Sequence, residues 1–138
     1  MGTVIRPEIS KKNQYYISKH RYYELKHFCL QYPEFKRIYN DLCAKIPGGI
    51  ILTEGMENAA RGTESLYVRQ RYLDKIELIE ECARLTDEVI GAYILKAVTE
   101  NYSYNYLRLK ENIPCCKDIY YEFYRKFFFI LSHKKDFA

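Results

Sequence analysis

The stretch that decides the fold runs from residue 87 to residue 132 and reads DEVIGAYILKAVTENYSYNYLRLKENIPCCKDIYYEFYRKFFFILS. Asp87 and Ser103 are residue types that cap helix N-termini, and apolar residues at helical spacing follow each of them. Asn101 tolerates the left-handed conformation of a helix end, and Pro114 interrupts a helix. The stretch therefore predicts a helix, a tight turn, a short helix, a turn that contains proline, and a long final helix.

This order of elements is typical of a helix-turn-helix unit, here at about residues 88–132. In the final helix, the side chains predicted to face inward are Tyr120, Phe123, Phe127 and Ile130 with Leu131. The side chains predicted to project from its first turns are Lys117, Asp118, Tyr121, Glu122, Tyr124, Arg125 and Lys126.

A recognition helix lies in the major groove of DNA and brings its N-terminal residues to the base edges. In such a position Arg125 suits a guanine, Tyr121 suits a base or a phosphate, and Lys117 suits a phosphate. The DNA-binding residues that this reasoning predicts are Lys117, Asp118, Tyr121, Tyr124, Arg125 and Lys126. The alternative is that the segment is an amphipathic C-terminal helix in an ordinary helical bundle.

The residues upstream also predict helices and no strands. Ser18 caps a helix at about 18–31, and a second helix follows Pro33, so we expect an N-terminal helical hairpin over residues 1–47. Four of the six glycines lie between Ile46 and Gly62, which predicts a linker at 48–62. A long helix is predicted from Thr63 to about Leu85, within a helical domain over 63–138. The fold class is therefore all-α.

The first helix carries a mixture of cations and aromatic rings that suits phosphate contact. The residues of this second basic and aromatic surface are Lys19, His20, Arg21 and Tyr23. In the simpler interpretation, the neighbouring Tyr22 belongs to the apolar stripe of the helix and the cations belong to its solvated face.

The composition of the chain limits the possible classes of function but does not identify one. The chain has 138 residues, 22 Lys and Arg against 18 Asp and Glu, and no apolar run long enough to cross a membrane. Residues 1–47 and 89–138 are basic and residues 48–88 are acidic. Its five cysteines form no regular framework, which favours reduced thiols, and the N-terminal residues contain no apolar signal segment, which predicts a cytoplasmic location.

Several stretches carry a resemblance to a known group of proteins. NQYYISKHRYYELKHFCLQYPE at 13–34, AYILKAVTE at 92–100, IPC at 113–115 and DIYYEFYRKFF at 118–128 resemble a widespread protein of Firmicute phages and prophages. The C-terminal part is also similar to phage late transcription regulators of the RinA and ArpU type, whose last segment resembles region 4 of sigma factors. On that pattern Pro114 matches the turn, Lys117 its basic first-turn position, and Tyr120 with Tyr121 its aromatic pair.

The resemblance implies a phage-encoded DNA-binding transcription regulator that acts on duplex DNA, with host RNA polymerase or another host protein as a further partner. A homodimer would engage two half-sites. One rival hypothesis is a small interaction or anti-defence protein that binds and inhibits a host protein, since Tyr and Arg also suit protein interfaces. Another is a DNA-binding subunit related to packaging. The sequence contains no motif for an enzyme, a metal site or a cofactor, so none is predicted.

Overall fold

A computed structural model describes residues 13–45 and 56–136, and all regular structure in those ranges is helical, which confirms the all-α prediction. The helices are α1 (Lys19–Leu30), α2 (Tyr32–Lys45), α3 (Met56–Thr86), α4 (Gly91–Glu100), α5 (Tyr104–Lys110) and α6 (Lys117–Asp136). None of the helices in the described ranges combines the length and the apolar character that a membrane crossing requires.

The predicted caps are found at the ends of the helices. The Ser18 hydroxyl accepts a hydrogen bond from the backbone N–H of Arg21 at 3.3 Å, and the Ser103 hydroxyl accepts one from Tyr106 at 3.1 Å. Asp87 caps the turn before α4, and Asn101 ends α4 with a φ of 60°. Each of these residues acts within a few positions of its own place in the chain, either by accepting hydrogen bonds from free backbone N–H groups or by ending the helix. The sequence alone could therefore predict where the caps lie.

The helix α3 begins earlier than predicted. The predicted linker at 48–62 is helical from Met56 onward, so the expected start at Thr63 is wrong. Residues 56–61 read MENAAR and are mostly strong helix formers, and one glycine at Gly62 costs about 1 kcal/mol, which a long helix tolerates. Residues 48–55 lie outside the described part of the chain.

The chain forms two compact units. Among the described residues, the first unit contains 13–31 and 78–136, and the second contains 32–45 and 56–77. Because α1 belongs to the first unit and α2 to the second, the structure does not confirm the predicted N-terminal hairpin. The predicted boundaries at 47 and 63 likewise differ from this division.

In the first unit, α1, α4 and α6 pack against one another and α5 packs against α4. The residues fully buried at its centre are Leu25, Cys29, Ile79, Cys82, Ile94, Leu107, Tyr120, Phe127, Phe128 and Leu131. The start of α4 lies so close to α3 that a Cβ on Gly91 would be 2.2 Å from the carbonyl oxygen of Ala83. A residue larger than glycine at this position would push the two backbones apart.

In the second unit, aromatic side chains hold α2 and the middle of α3 together. Tyr32, Phe35 and Ile76 are buried, and the rings of Phe35 and Tyr72 have their centroids 6.0 Å apart. The ammonium of Lys75 lies 5.2 Å from the centroids of both rings, a distance at which a cation is attracted to an aromatic face.

Candidate nucleic-acid interface

The start of α6 is fixed by the turn that precedes it. The carbonyl of Leu107 accepts hydrogen bonds from the backbone N–H groups of Glu111 and Ile113, and Asn112 between them has a φ of 54°. The hydroxyl of Tyr104 donates to the carbonyl of Cys115 at 2.7 Å. Glu111 also forms an ion pair with Lys96 of α4. These bonds connect the turn to α4 and α5, and so determine where α6 leaves it.

The first turns of α6 are mostly exposed. Lys117, Asp118, Glu122 and Ile119 are exposed, Ile119 to 43%, whereas Tyr120 is buried. Thus Lys117 and Asp118, two of the predicted site residues, lie at the surface as expected.

Tyr121 is half-buried and lies between the surface and the core. Its ring centroid is 5.1 Å from that of Tyr120 and 6.5 Å from that of Tyr104. On its outer side, the ammonium of Lys117 lies 5.9 Å from the ring centroid. The aromatic packing holds the ring of Tyr121 in place, and its half-exposed side chain lies beside the exposed cation of Lys117.

Tyr124 does not project from the helix, and this prediction is wrong. Its hydroxyl oxygen lies 3.0 Å from the hydroxyl oxygen of Tyr22 on α1, and its ring lies 5.1 Å from that of Phe128. Burial raises the pKa of Tyr124 well above its usual value, as expected for a phenol removed from water. Tyr124 therefore joins α6 to α1 inside the first unit.

Arg125 and Lys126 are both half-buried. The Nε atom of Arg125 is buried, and it has no hydrogen-bond partner in the described part of the chain. Lys126 lies near Asp87, whose pKa is lowered chiefly by hydrogen bonds from the backbone N–H groups of Ile90 and Val89 and further by the Lys126 charge. These two cations are less open to a ligand than Lys117 is.

The inward face of α6 differs in part from the prediction. Phe127 and Leu131 are buried as expected, whereas Phe123 and Ile130 are only half-buried and Phe128 is buried. The cause is α1, because the ring of Tyr22 packs edge-on against Phe128 with centroids 5.1 Å apart. Periodicity within α6 alone could not reveal this partner.

On α1, the structure changes the role of Arg21. Its Nε donates to the hydroxyl of Ser132 at 3.0 Å, its Nη2 donates to the carbonyl of Ser132 at 2.8 Å, and its Nη1 contacts Glu24 at 2.7 Å. Arg21 therefore links α1 to α6, and its predicted place on an open cationic surface is wrong. The signal that sequence reasoning lacked is a contact partner 111 positions away.

The other predicted residues of the α1 surface lie outward. Lys19 and His20 are exposed, and Tyr23 is half-buried against Tyr22, with ring centroids 5.2 Å apart. Lys26 and His27 lie on the same outward side, one to two turns further along. The sequence prediction missed these last two residues, although their helical spacing from Lys19 and Tyr23 could have identified them.

Two of the cysteines are buried in the first unit. Cys29 and Cys82 are buried, and burial raises the pKa of Cys29 and raises that of Cys82 to about 12. Both thiols therefore stay protonated at neutral pH, and the thiolate is the form that attacks or binds metal. Among the described residues, no three His, Cys, Asp or Glu side chains come together as a metal site.

The chain has no significant match among protein-family models, curated proteins or solved structures.

Proposed function

We propose that the protein binds duplex DNA through the first turns of α6 and acts as a phage transcription regulator. The observation that carries the proposal is the uneven burial of α6. Lys117, Asp118 and Glu122 are exposed, whereas Phe127 and Leu131 further along are fully buried. A recognition helix needs this arrangement, since its N-terminal residues reach base edges while its later turns are anchored in the protein.

The helix before α6 supports the same role. Arg108 and Lys110 of α5 are exposed, and α5 precedes α6 across the turn at 111–116. In helix-turn-helix proteins the helix before the recognition helix crosses the DNA backbone. Arg108 and Lys110 would then contact phosphates, and phosphate contacts set the position and orientation of the protein on the duplex.

The two acids beside Lys117 favour selective binding over tight binding. Asp118 and Glu122 would repel phosphates, but a carboxylate accepts a hydrogen bond from the exocyclic amine of cytosine. A surface of this kind binds any duplex weakly and a duplex with a matching base sequence more tightly. The phage setting is supported by the resemblance of this segment to late transcription regulators.

The proposal is tested by titrating a random-sequence duplex of about three helical turns, roughly 30 base pairs, at several salt concentrations. We expect binding that weakens as salt rises, and a further loss of about tenfold on Lys117→Ala. The matched control is Lys36→Ala, which removes the same charge from an exposed position on α2. Binding that is absent, or equally weakened by both substitutions, would contradict the proposal.

A second candidate function is binding to a host protein, such as RNA polymerase, or to a second copy of the chain. It is favoured by exposed apolar side chains in the first unit, namely Leu109 at 65%, Val89 at 61% and Leu85 at 46%. Apolar side chains gain free energy when a protein partner covers them. If this candidate is correct, the DNA titration is flat, and Leu109→Ser weakens capture of purified RNA polymerase or dissociates the dimer in sedimentation.

A further inference from the structure

We infer that the outward face of α1 contacts the phosphate backbone of the same duplex that α6 reads. This face, called here the α1 outer face, consists of Lys19, His20, Tyr23, Lys26 and His27. The inference rests on the proposed function and adds a second DNA-contacting surface to it.

The packing of α1 determines which residues form this face. Its buried residues are Tyr22, Leu25 and Cys29, which share one side of the helix. The positions at 19, 23, 26 and 27 follow the spacing of four, seven and eight residues that defines a single helix face. Tyr23 and His27 face away from the buried stripe, while Lys19 and Lys26 flank it. Lys19, His20 and His27 are exposed, and Tyr23 and Lys26 are half-buried.

The α1 outer face is positively charged because the only acid of α1 is neutralised. Glu24 pairs with Arg21 at 2.7 Å, and the pKa of Glu24 is lowered chiefly by Arg21 and slightly by Lys135 of α6. The ammonium of Lys135 lies 5.1 Å from the Phe28 ring centroid. The lysines of the outer face therefore have no acidic neighbour on α1 left to pair with.

The charge and spacing of the face fit a nucleic-acid backbone. Lys19 and Lys26 are separated by seven residues of helix, a rise of about 10.5 Å. Duplex DNA carries one phosphate charge per about 1.7 Å of axis, so both ammonium groups would meet phosphates at once. Between them, the Tyr23 hydroxyl is a donor for a phosphate oxygen. Apart from Tyr23 and part of Leu30, the face offers no apolar side chain, which disfavours a membrane surface as its occupant.

The α1 outer face and α6 belong to the same compact unit of the protein. Arg21 is bonded twice to Ser132, and Tyr22 is paired with Tyr124, so the two helices form part of one packed unit. Two cationic surfaces on one rigid body bind a polyanion more strongly than either does alone, because the second contact requires no new loss of translational freedom.

The test compares two double variants in the random-duplex titration. Lys19→Ala/Lys26→Ala removes two positive charges from the α1 outer face, and Lys36→Ala/Arg37→Ala removes two from exposed positions on α2. We expect the α1 variant to bind about tenfold more weakly at ~0.1 M salt, with a salt slope smaller by about 2, and the α2 variant to bind as the wild type does. Lys19→Arg/Lys26→Arg, which keeps both positive charges, should bind the duplex as the wild type does.

A phosphate contact and a base contact are distinguished by sequence preference. Selection from the random pool should give the same enriched sequence for the wild type and for Lys19→Ala/Lys26→Ala, because phosphate contacts carry no direct base information. A changed sequence preference in the α1 variant would overturn the phosphate role.

The remaining outcomes separate this inference from the proposed function. If the wild type does not bind DNA, both fail. If binding depends on Lys117 but not on Lys19 and Lys26, only the α1 inference fails. The α1 inference also fails if the α1 variant loses binding to phosphatidylserine vesicles while its DNA binding is unchanged. The ligand of the α1 outer face would then be a membrane surface. Circular dichroism melting of each variant verifies that the exposed substitutions leave the fold intact.

Discussion

The two halves of α6 share one helix but have different surroundings. Its first turns present Lys117, Asp118 and Glu122 to solvent, whereas its later turns bury Phe127 and Leu131 against the rest of the first unit. The difference comes from the neighbouring helices, since α1 and α4 pack along α6 and supply rings such as Tyr22. The second half therefore contributes most of its side chains to the core, whereas the first half contributes Tyr120 and leaves its outward side chains available for a ligand.

The strongest test of this contrast substitutes one apolar residue in each half. Phe127→Ala removes a fully buried ring and should lower the free energy of unfolding by about 4 kcal/mol. Ile119→Ala, at a position that is 43% exposed, should change it by less than about 0.5 kcal/mol. Urea unfolding followed by circular dichroism measures both values. Equal losses would show that the two halves are anchored alike.

The next test concerns α4, which packs against the buried half of α6. Gly91→Ala should destabilise the protein by about 3 kcal/mol, because its Cβ would lie 2.2 Å from a backbone oxygen of α3. The control is Ala92→Gly at the adjacent exposed position, which should cost about 1 kcal/mol from helix propensity alone. If Gly91→Ala raised the melting temperature, the close approach of α3 and α4 would be refuted.

Arg21 tests how α1 is held on the second half of α6. Arg21→Ala removes two charge-assisted hydrogen bonds to Ser132 and should cost about 2 kcal/mol of unfolding free energy. Arg21→Lys keeps the charge but loses the forked geometry, so it should recover only part of the loss. Lys19→Ala, two residues away and exposed, should be neutral within about 0.5 kcal/mol. Thermal melting of the three variants measures these losses. Equal losses of stability in Arg21→Ala and Lys19→Ala would contradict this role of Arg21.

Asp87 gives a smaller effect that depends on pH. Hydrogen bonds from the backbone N–H groups of Ile90 and Val89 lower its pKa, so the folded protein holds fewer protons than the unfolded chain. Its contribution is therefore complete above the ordinary carboxyl pKa of about 3.9 and is lost as the pH falls below it.

Asp87→Ala should cost about 1 kcal/mol at neutral pH, and its difference from the wild type should shrink in urea titrations near pH 3, below the ordinary pKa of about 3.9. The exposed neighbour Glu88 provides the control through Glu88→Ala. A difference that grows as the pH falls would have the wrong sign.

Local features of the fold could be predicted, and features set by distant partners could not. The caps at Ser18, Asp87 and Ser103 follow from residues three positions away or fewer, so the sequence contains all the information they need. The start of α3 differs from the prediction because the glycines between Ile46 and Gly62 indicate a linker, whereas the helix formers at 56–61 allow the helix to include Gly62.

The candidate site shows the same limit. The exposure of Lys117, Asp118 and Lys19 could be predicted from helix periodicity. The placement of Tyr124 and Arg21 could not, since both are decided by contacts between α1 and α6 across more than 100 residues. A tyrosine or an arginine suits a buried hydrogen-bonding position as well as a groove, and only the partner decides which it occupies.

The most direct test of the central claim is selection of duplexes from a random pool by the wild-type protein and by two α6 variants. If the first turns of α6 read base edges, the wild type enriches a recurrent sequence, Asp118→Asn changes the preferred base at one position, and Phe123→Leu, further along the helix, leaves the sequence unchanged. A selected pool indistinguishable from the starting pool, or a preference that is identical in all three proteins, would contradict the claim.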